Sequence, residues 1–172
     1  MNSTTCALPT LAFDHDAAQA AAESWGCNCG PSALAAILGK TLDDVRHACE
    51  AAGFAERRYM SPTMMAKAVP LAGGRIVSRN EGHHNFARHG LNRIQWTGPW
   101  TAPGANPKWA YRQTHWVASW DCVEATIIFD INGGLLVRDE WEARIVPEIL
   151  KECVPRNDGG WFVANKWEVA NG

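Results

Sequence analysis

The chain has 172 residues, 47% hydrophobic and 20% charged, with a formal net charge of −2. That balance belongs to a folded domain with its own core and excludes a disordered chain, while a pI of about 6.3 leaves no basic footprint for nucleic acid or an anionic membrane. No apolar run approaches the roughly 20 residues of a membrane helix, and residues 1–6 carry neither the basic nor the apolar region of a secretory signal. The expectation is a single cytoplasmic domain over residues 1–172, with no membrane or nucleic-acid partner. In that reducing compartment Cys6, Cys27, Cys29, Cys49, Cys122 and Cys153 are expected as thiols.

Residues 1–73 are alanine-rich and helical in pattern, whereas residues 75–172 carry strands and eight of the nine tryptophans. Ala17–Glu23 reads as a short helix capped by Asp14 or Asp16. Gly26 then breaks the chain. Cys29-Gly30-Pro31-Ser32 opens a second helix in which Leu34, Ile37 and Leu38 form a stripe and alanines fill the rest. A helix apolar nearly all round is buried, and Gly39 ends this one. Thr41 and Asp44 have the spacing of a capping box, starting a helix that stops at Gly53. Ser61-Pro62 starts a third long helix reaching about Leu71, with Pro70 bending or ending it.

Strand patterns follow at Arg75–Ser78, Asn92–Thr97, Thr114–Trp120, Thr126–Ile131 and Leu135–Arg138. Asp139–Cys153 is of mixed helical character, broken at Pro147. Trp161–Val169 closes the chain as a strand whose edge could pair with another subunit. Helices followed by a mostly antiparallel sheet make an α+β fold.

The chemistry starts at Cys29. A helix N-terminus carries roughly half a positive charge and free N–H donors, and both favour a thiolate, the nucleophilic form of cysteine. Such a nucleophile needs a base and a group that orients the base. His115 opens one predicted strand and Asp130 ends the next. A tight connection over residues 121–125 brings both to one edge of the sheet, where a carboxylate can hold the imidazole tautomer. Asn132, two residues on, faces the same way and is the alternative orienter.

Asn28-Cys29-Gly30-Pro31-Ser32-Ala33-Leu34, then His115-Trp116-Val117, then Ile128-Phe129-Asp130 resembles the papain-like cysteine peptidases. The closest likeness is to the C39-like, bacteriocin-processing branch, over roughly residues 20–135. The resemblance implies a nucleophile helix buried against an antiparallel sheet, with Cys29 as nucleophile, His115 as base and Asp130 as orienter. It implies a thiol protease or amidase acting on a protein, peptide or small amide, with no cofactor and no metal. Transfer to an amine, deamidation of a side chain, and use of the scaffold as a non-catalytic binding module are the alternatives.

One position departs from that pattern. The family usually places a glutamine six residues before the nucleophile, to donate to the oxyanion; here the residue is Glu23. A carboxylate cannot donate and repels the developing charge. The expectation is that Glu23 is protonated or points away, with the Cys29 N–H, the Asn28 amide or the Trp25 indole donating instead.

Two further features carry weaker signals. Cys27 with His83, His84 or His89 lacks a recognised zinc spacing, and the bland alternative is an incidental thiol beside a polar loop. Residues 98–109 hold three prolines, Trp100 and Trp109, and little regular pattern, immediately before His115. They read as a loop walling the substrate site, with Trp100, Trp109 and Trp116 as candidate substrate contacts, against the plainer reading of core and surface packing.

Overall fold

The computed structural model describes residues 8–172, with the backbone alone at 83 and 84. Cys6 and the side chains of His83 and His84 therefore lie outside the described residues. The fold is α+β, as the order of sequence patterns predicts.

The helical half contains α1 (His15–Trp25), α2 (Cys29–Leu38), α3 (Leu42–Ala51), the short α4 (Phe54–Arg57) and α5 (Pro62–Leu71). Their starts follow the capping chemistry of the sequence. Asp14 accepts from the Ala17 N–H, Thr41 and Asp44 form a reciprocal capping box, and Ser61 caps α5 ahead of Pro62. Gly26 ends α1 with φ 77°, a left-handed conformation that glycine adopts without a Cβ penalty, and so turns the chain into α2. Every residue of α2 from Gly30 to Leu38 is buried.

The other half is a six-stranded sheet in the order β1-β6-β2-β3-β4-β5. Its strands are β1 (Gly74–His84), β2 (His89–Trp96), β3 (Thr114–Asp121), β4 (Thr126–Asp130), β5 (Gly134–Val137) and β6 (Trp161–Asn171). All neighbouring pairs are antiparallel. The last strand, which the sequence left free to be an edge, is inserted between β1 and β2.

Both faces of the sheet are covered. Leu91, Trp116, Ala118, Phe129 and Trp167 pack with helices α1–α5 in one core. Ile94, Trp96, Val117, Ile128 and Val163 pack with Trp141, Ile145, Ile149 and Leu150 in a second. Alternation of strand side chains sorts the residues between the two, except that a register shift in β6 between Val163 and Asn165 sends Val163 and Trp167 to opposite faces.

The segment expected to be of mixed character is helical from α7 (Arg138–Glu140) through a π-helical turn (Trp141–Ile145) to α8 (Val146–Cys153). Pro147 does not break it: the backbone stays helical through the π-helical turn that precedes Pro147 and on into α8. Residues 98–109 are less irregular than expected. They hold a 3-10 turn (Pro99–Thr101) and the start of α6 (Pro107–Tyr111).

The expectation that every cysteine is a thiol is overturned. Cys27, Cys29, Cys49 and Cys153 are free thiols, but Cys122 is disulfide-bonded, so not all six cysteines are thiols. Spacing alone could not reveal a pairing made by the fold. Among the described residues no helix is long and apolar enough to cross a membrane.

Gly90 tests the central strand pairing. A Cβ there would run into the Trp167 carbonyl oxygen on β6. Gly90→Ala is expected to cost about 3 kcal/mol, read by urea unfolding; unchanged stability would contradict the close β2–β6 approach.

Candidate active site

Cys29 is the first residue of α2, and the residues around it leave its N–H available. Asn28 caps the helix: its Oδ1 accepts from the Gly30 N–H at 3.2 Å, and its Nδ2 donates to the Arg58 carbonyl at 2.9 Å. Pro31 has no N–H, and the Ser32 N–H already donates to the Asn28 carbonyl at 3.1 Å. Within the first turn the Cys29 N–H is thus the donor left without an intrahelical acceptor.

His115 is the second residue of β3. Asp121 pairs with Thr126 and Ala118 with Phe129; continuing that register sets Val117 opposite Asp130, with His115 on the same face two residues earlier. His115 Nε2 donates to Asp130 Oδ2 at 2.9 Å. The Trp96 ring lies beside the imidazole, with centroids 6.1 Å apart. The other ring nitrogen, Nδ1, is left for the sulfur, and the Cys29 and His115 side chains each favour the charged form of the other. Cys29 packs against the first core and His115 lies on the face of the second. They meet at the end of the sheet, where β3 begins.

Asp130 is fully buried and accepts four hydrogen bonds. Oδ2 takes those of His115 and of Trp141 Nε1, the latter at 2.8 Å; Oδ1 takes the Asn132 N–H at 2.9 Å and Asn132 Nδ2 at 3.0 Å. Burial alone would raise this carboxyl, but the His115 charge and these donors hold it below the ordinary value.

Burial likewise disfavours charge on the other two groups. It would lower His115, yet the charges of Asp130 and Cys29 and their hydrogen bonds raise it well above the ordinary imidazole value. It would raise Cys29, yet the His115 charge and hydrogen bond, with the Trp116 backbone N–H donating to the sulfur, bring the thiol below its ordinary value against the opposing charge of Asp130. Both shifts favour thiolate and imidazolium together. Cys27, two residues away, shows the contrast: burial and the neighbouring Cys29 push it up to about 12, which makes it inert.

The remaining candidates separate by position. Glu23 is exposed on α1, and its carboxylate accepts from Gln19 Nε2 at 3.0 Å. The charges felt at Cys29 are those of His115 and Asp130, not Glu23. The Trp25 ring packs on Phe54 and Arg46, and its Nε1–H is buried without a partner. Asn132 supports Asp130 and does not take its place. Trp100 and Trp116 are core residues rather than substrate contacts: both are buried, and their indoles donate to the Trp96 and Met60 carbonyls at 2.7 Å. Trp109 alone of the three is open to solvent, at 60% exposure. His89 is bonded to the Val169 carbonyl through Nδ1, and among the described residues no group of three or more metal-ligating side chains converges.

Sequence reasoning missed Trp141. A buried indole usually finds an acceptor for its N–H, but no local pattern names Asp130 as that acceptor. The π-helical turn that carries Trp141 is itself a rare geometry, often found at functional positions.

Compared with known proteins, the chain matches no family model, no curated protein and no solved structure, so the chemistry rests on the geometry of the site.

Two variants test this geometry. Glu23→Gln is expected to leave the alkylation rate of Cys29 within about twofold, since the carboxylate faces solvent; a tenfold change would put Glu23 in the site. Trp141→Phe removes one of the four Asp130 donors and is expected to cost about 2 kcal/mol, the range for a hydrogen bond to a charged group. A carboxyl depressed in the folded state stabilises above its unfolded pKa and loses that contribution as pH falls through the folded one. Less depression in Trp141→Phe moves acid unfolding to higher pH; an unchanged acid midpoint would contradict the role given to the indole.

Proposed function

We propose that the protein is a papain-like cysteine hydrolase that cleaves an amide bond through an acyl-thioester on Cys29. The observation that carries this reading is the pairing of the Cys29 thiol with the His115 imidazole, each shifting the other toward its charged form, with His115 hydrogen-bonded to a buried, fully satisfied Asp130. The helix-borne thiol facing an antiparallel sheet supports the papain-like assignment.

In the resting pair the thiolate faces an imidazolium. The sulfur attacks the amide carbonyl carbon, an S–C bond forms, and the carbonyl electron pair moves onto oxygen. That oxyanion lies at the mouth of α2, within reach of the Cys29 N–H and the positive end of the helix. As the intermediate collapses, the C–N bond breaks and His115 gives its proton to the leaving amine. Neutral His115 then takes a proton from water as the water oxygen attacks the thioester. The C–S bond breaks, the acid leaves, and the thiolate–imidazolium pair is restored. Asp130 stays ionised throughout and holds the ring. A peptide, an isopeptide or a small amide would all pass through this acyl-thioester, and an amine in place of water would make the reaction a transfer.

Iodoacetamide labelling followed site by site tests the activated thiol, with exposed, free Cys153 as internal reference. Cys29 is expected to react rapidly at pH 6. In His115→Ala its rate there falls on the order of a hundredfold and its inflection moves toward the ordinary thiol value of about 8.5. An ordinary inflection in both proteins would sink the proposal.

A further inference from the structure

Of the four donors on Asp130, the Trp141 indole alone comes from the helical return beyond β5. The backbone that carries it is irregular. The Val146 N–H donates to the Trp141 carbonyl, five residues back, in a π-helical turn. Pro147, next in the chain, has no N–H for an α-helical bond to Ala143. The indole itself is fully buried. Phe86 and Trp161 meet it edge-on, with ring centroids 5.7 and 5.2 Å away. A phenyl ring would fill most of that space; what the indole adds is an N–H aimed at Asp130 Oδ2, at 2.8 Å.

Oδ2 is also the oxygen that accepts from His115 Nε2, at 2.9 Å, while both Asn132 donors go to Oδ1. A donor on a carboxylate stabilises the charged form and makes it a weaker base. The indole therefore weakens the pull of Oδ2 on His115. Other ionisable groups are turned elsewhere. α2, β4 and β5 bring none besides Cys29 and Asp130, and Asp121 lies at the far end of β3. On β2, His89 is bonded to the Val169 carbonyl and Arg93 answers to Tyr111 and Glu81. Along the helical return Arg138 pairs with Glu142 and Arg144 with Glu140, and Arg112 and Asp139 are exposed.

We propose that Trp141 is a positioning residue for the reaction, whose indole N–H shares Oδ2 with His115 and holds back part of the carboxylate's pull on the imidazolium. The inference rests on Cys29 and His115 being the reactive pair. Its consequence falls on the step in which the C–N bond breaks and His115 gives its proton to the leaving nitrogen. With Oδ2 shared, His115 remains a competent acid; with Oδ2 to itself, it holds its proton too firmly.

The pH profile of Cys29 alkylation by iodoacetamide tests this in the intact chain. Two inflections are expected in the wild-type protein. The lower marks formation of the thiolate–imidazolium pair, and the upper marks loss of the imidazolium proton, which leaves the thiolate alone. Trp141→Phe keeps a ring and removes the N–H. It is expected to move the lower inflection down and the upper one up, each by on the order of half a pH unit, so that the interval widens. Asp130→Asn removes the charge itself and is expected to narrow the interval. Loosened packing around Asp130 would narrow it too, so narrowing in Trp141→Phe overturns the proposal, as does an unchanged profile. A single wild-type inflection near about 8.5 is instead the failure of the reactive pair, and the inference falls with it.

A wild-type measurement covers the case in which Trp141→Phe does not fold. The Trp141 indole N–H proton is followed by NMR across the titration of His115. With Oδ2 shared, loss of the His115 charge strengthens the indole bond, and the resonance moves downfield through the same inflection. A resonance that stays fixed or moves upfield overturns the proposal.

Discussion

A carboxylate with no solvent contact has to be provided for by the protein, and in this fold that group is Asp130. Four donors converge on its two oxygens from three places: β3, the turn after β4, and the π-helical turn. Each donor depends on a different piece of the architecture. The β3–β4 register supplies His115, the turn at Asn132 supplies two N–H groups, and the return of the chain across the second face supplies Trp141. Removing any one would leave a charged group short of a partner where water cannot replace it. The charge retained on Asp130 is what raises His115, and the charge on His115 is what lowers Cys29.

The thiol reaches this relay from the opposite layer. α2 belongs to the helical face and its buried length fixes its direction, so the Cys29 end is held at the rim of the sheet. Two contacts define that position. Trp116 spans it, with its backbone N–H on the sulfur and its indole on the Met60 carbonyl. Gly30 permits it, because a Cβ there would meet the Met60 side chain. The site is therefore a junction of the two cores.

Much of this was legible in the sequence where the determinants are local. Asp14, Thr41 with Asp44, and Ser61-Pro62 mark helix starts by side-chain chemistry within three residues of the groups they satisfy. His115 and Asp130 could be paired because a short connection constrains the register of two strands. Other features are not local. The insertion of β6 between β1 and β2 depends on pairings some 80 residues apart in sequence. The donor on Trp141, the burial of Trp100 and Trp116, and the disulfide at Cys122 depend on which surfaces the fold brings together, and no spacing encodes that. Glu23 illustrates a different limit: its position relative to Cys29 suggested a role, but the end of α1 leaves its side chain in solvent.

The central claim is that Asp130 holds His115 as an imidazolium facing a Cys29 thiolate. Nitrogen-15 NMR of the His115 side chain tests this most directly. The account predicts both ring nitrogens protonated at pH 7 in the wild-type protein, with the proton lost at lower pH in Asp130→Asn. A neutral His115 ring at pH 7, with one protonated nitrogen, would contradict it.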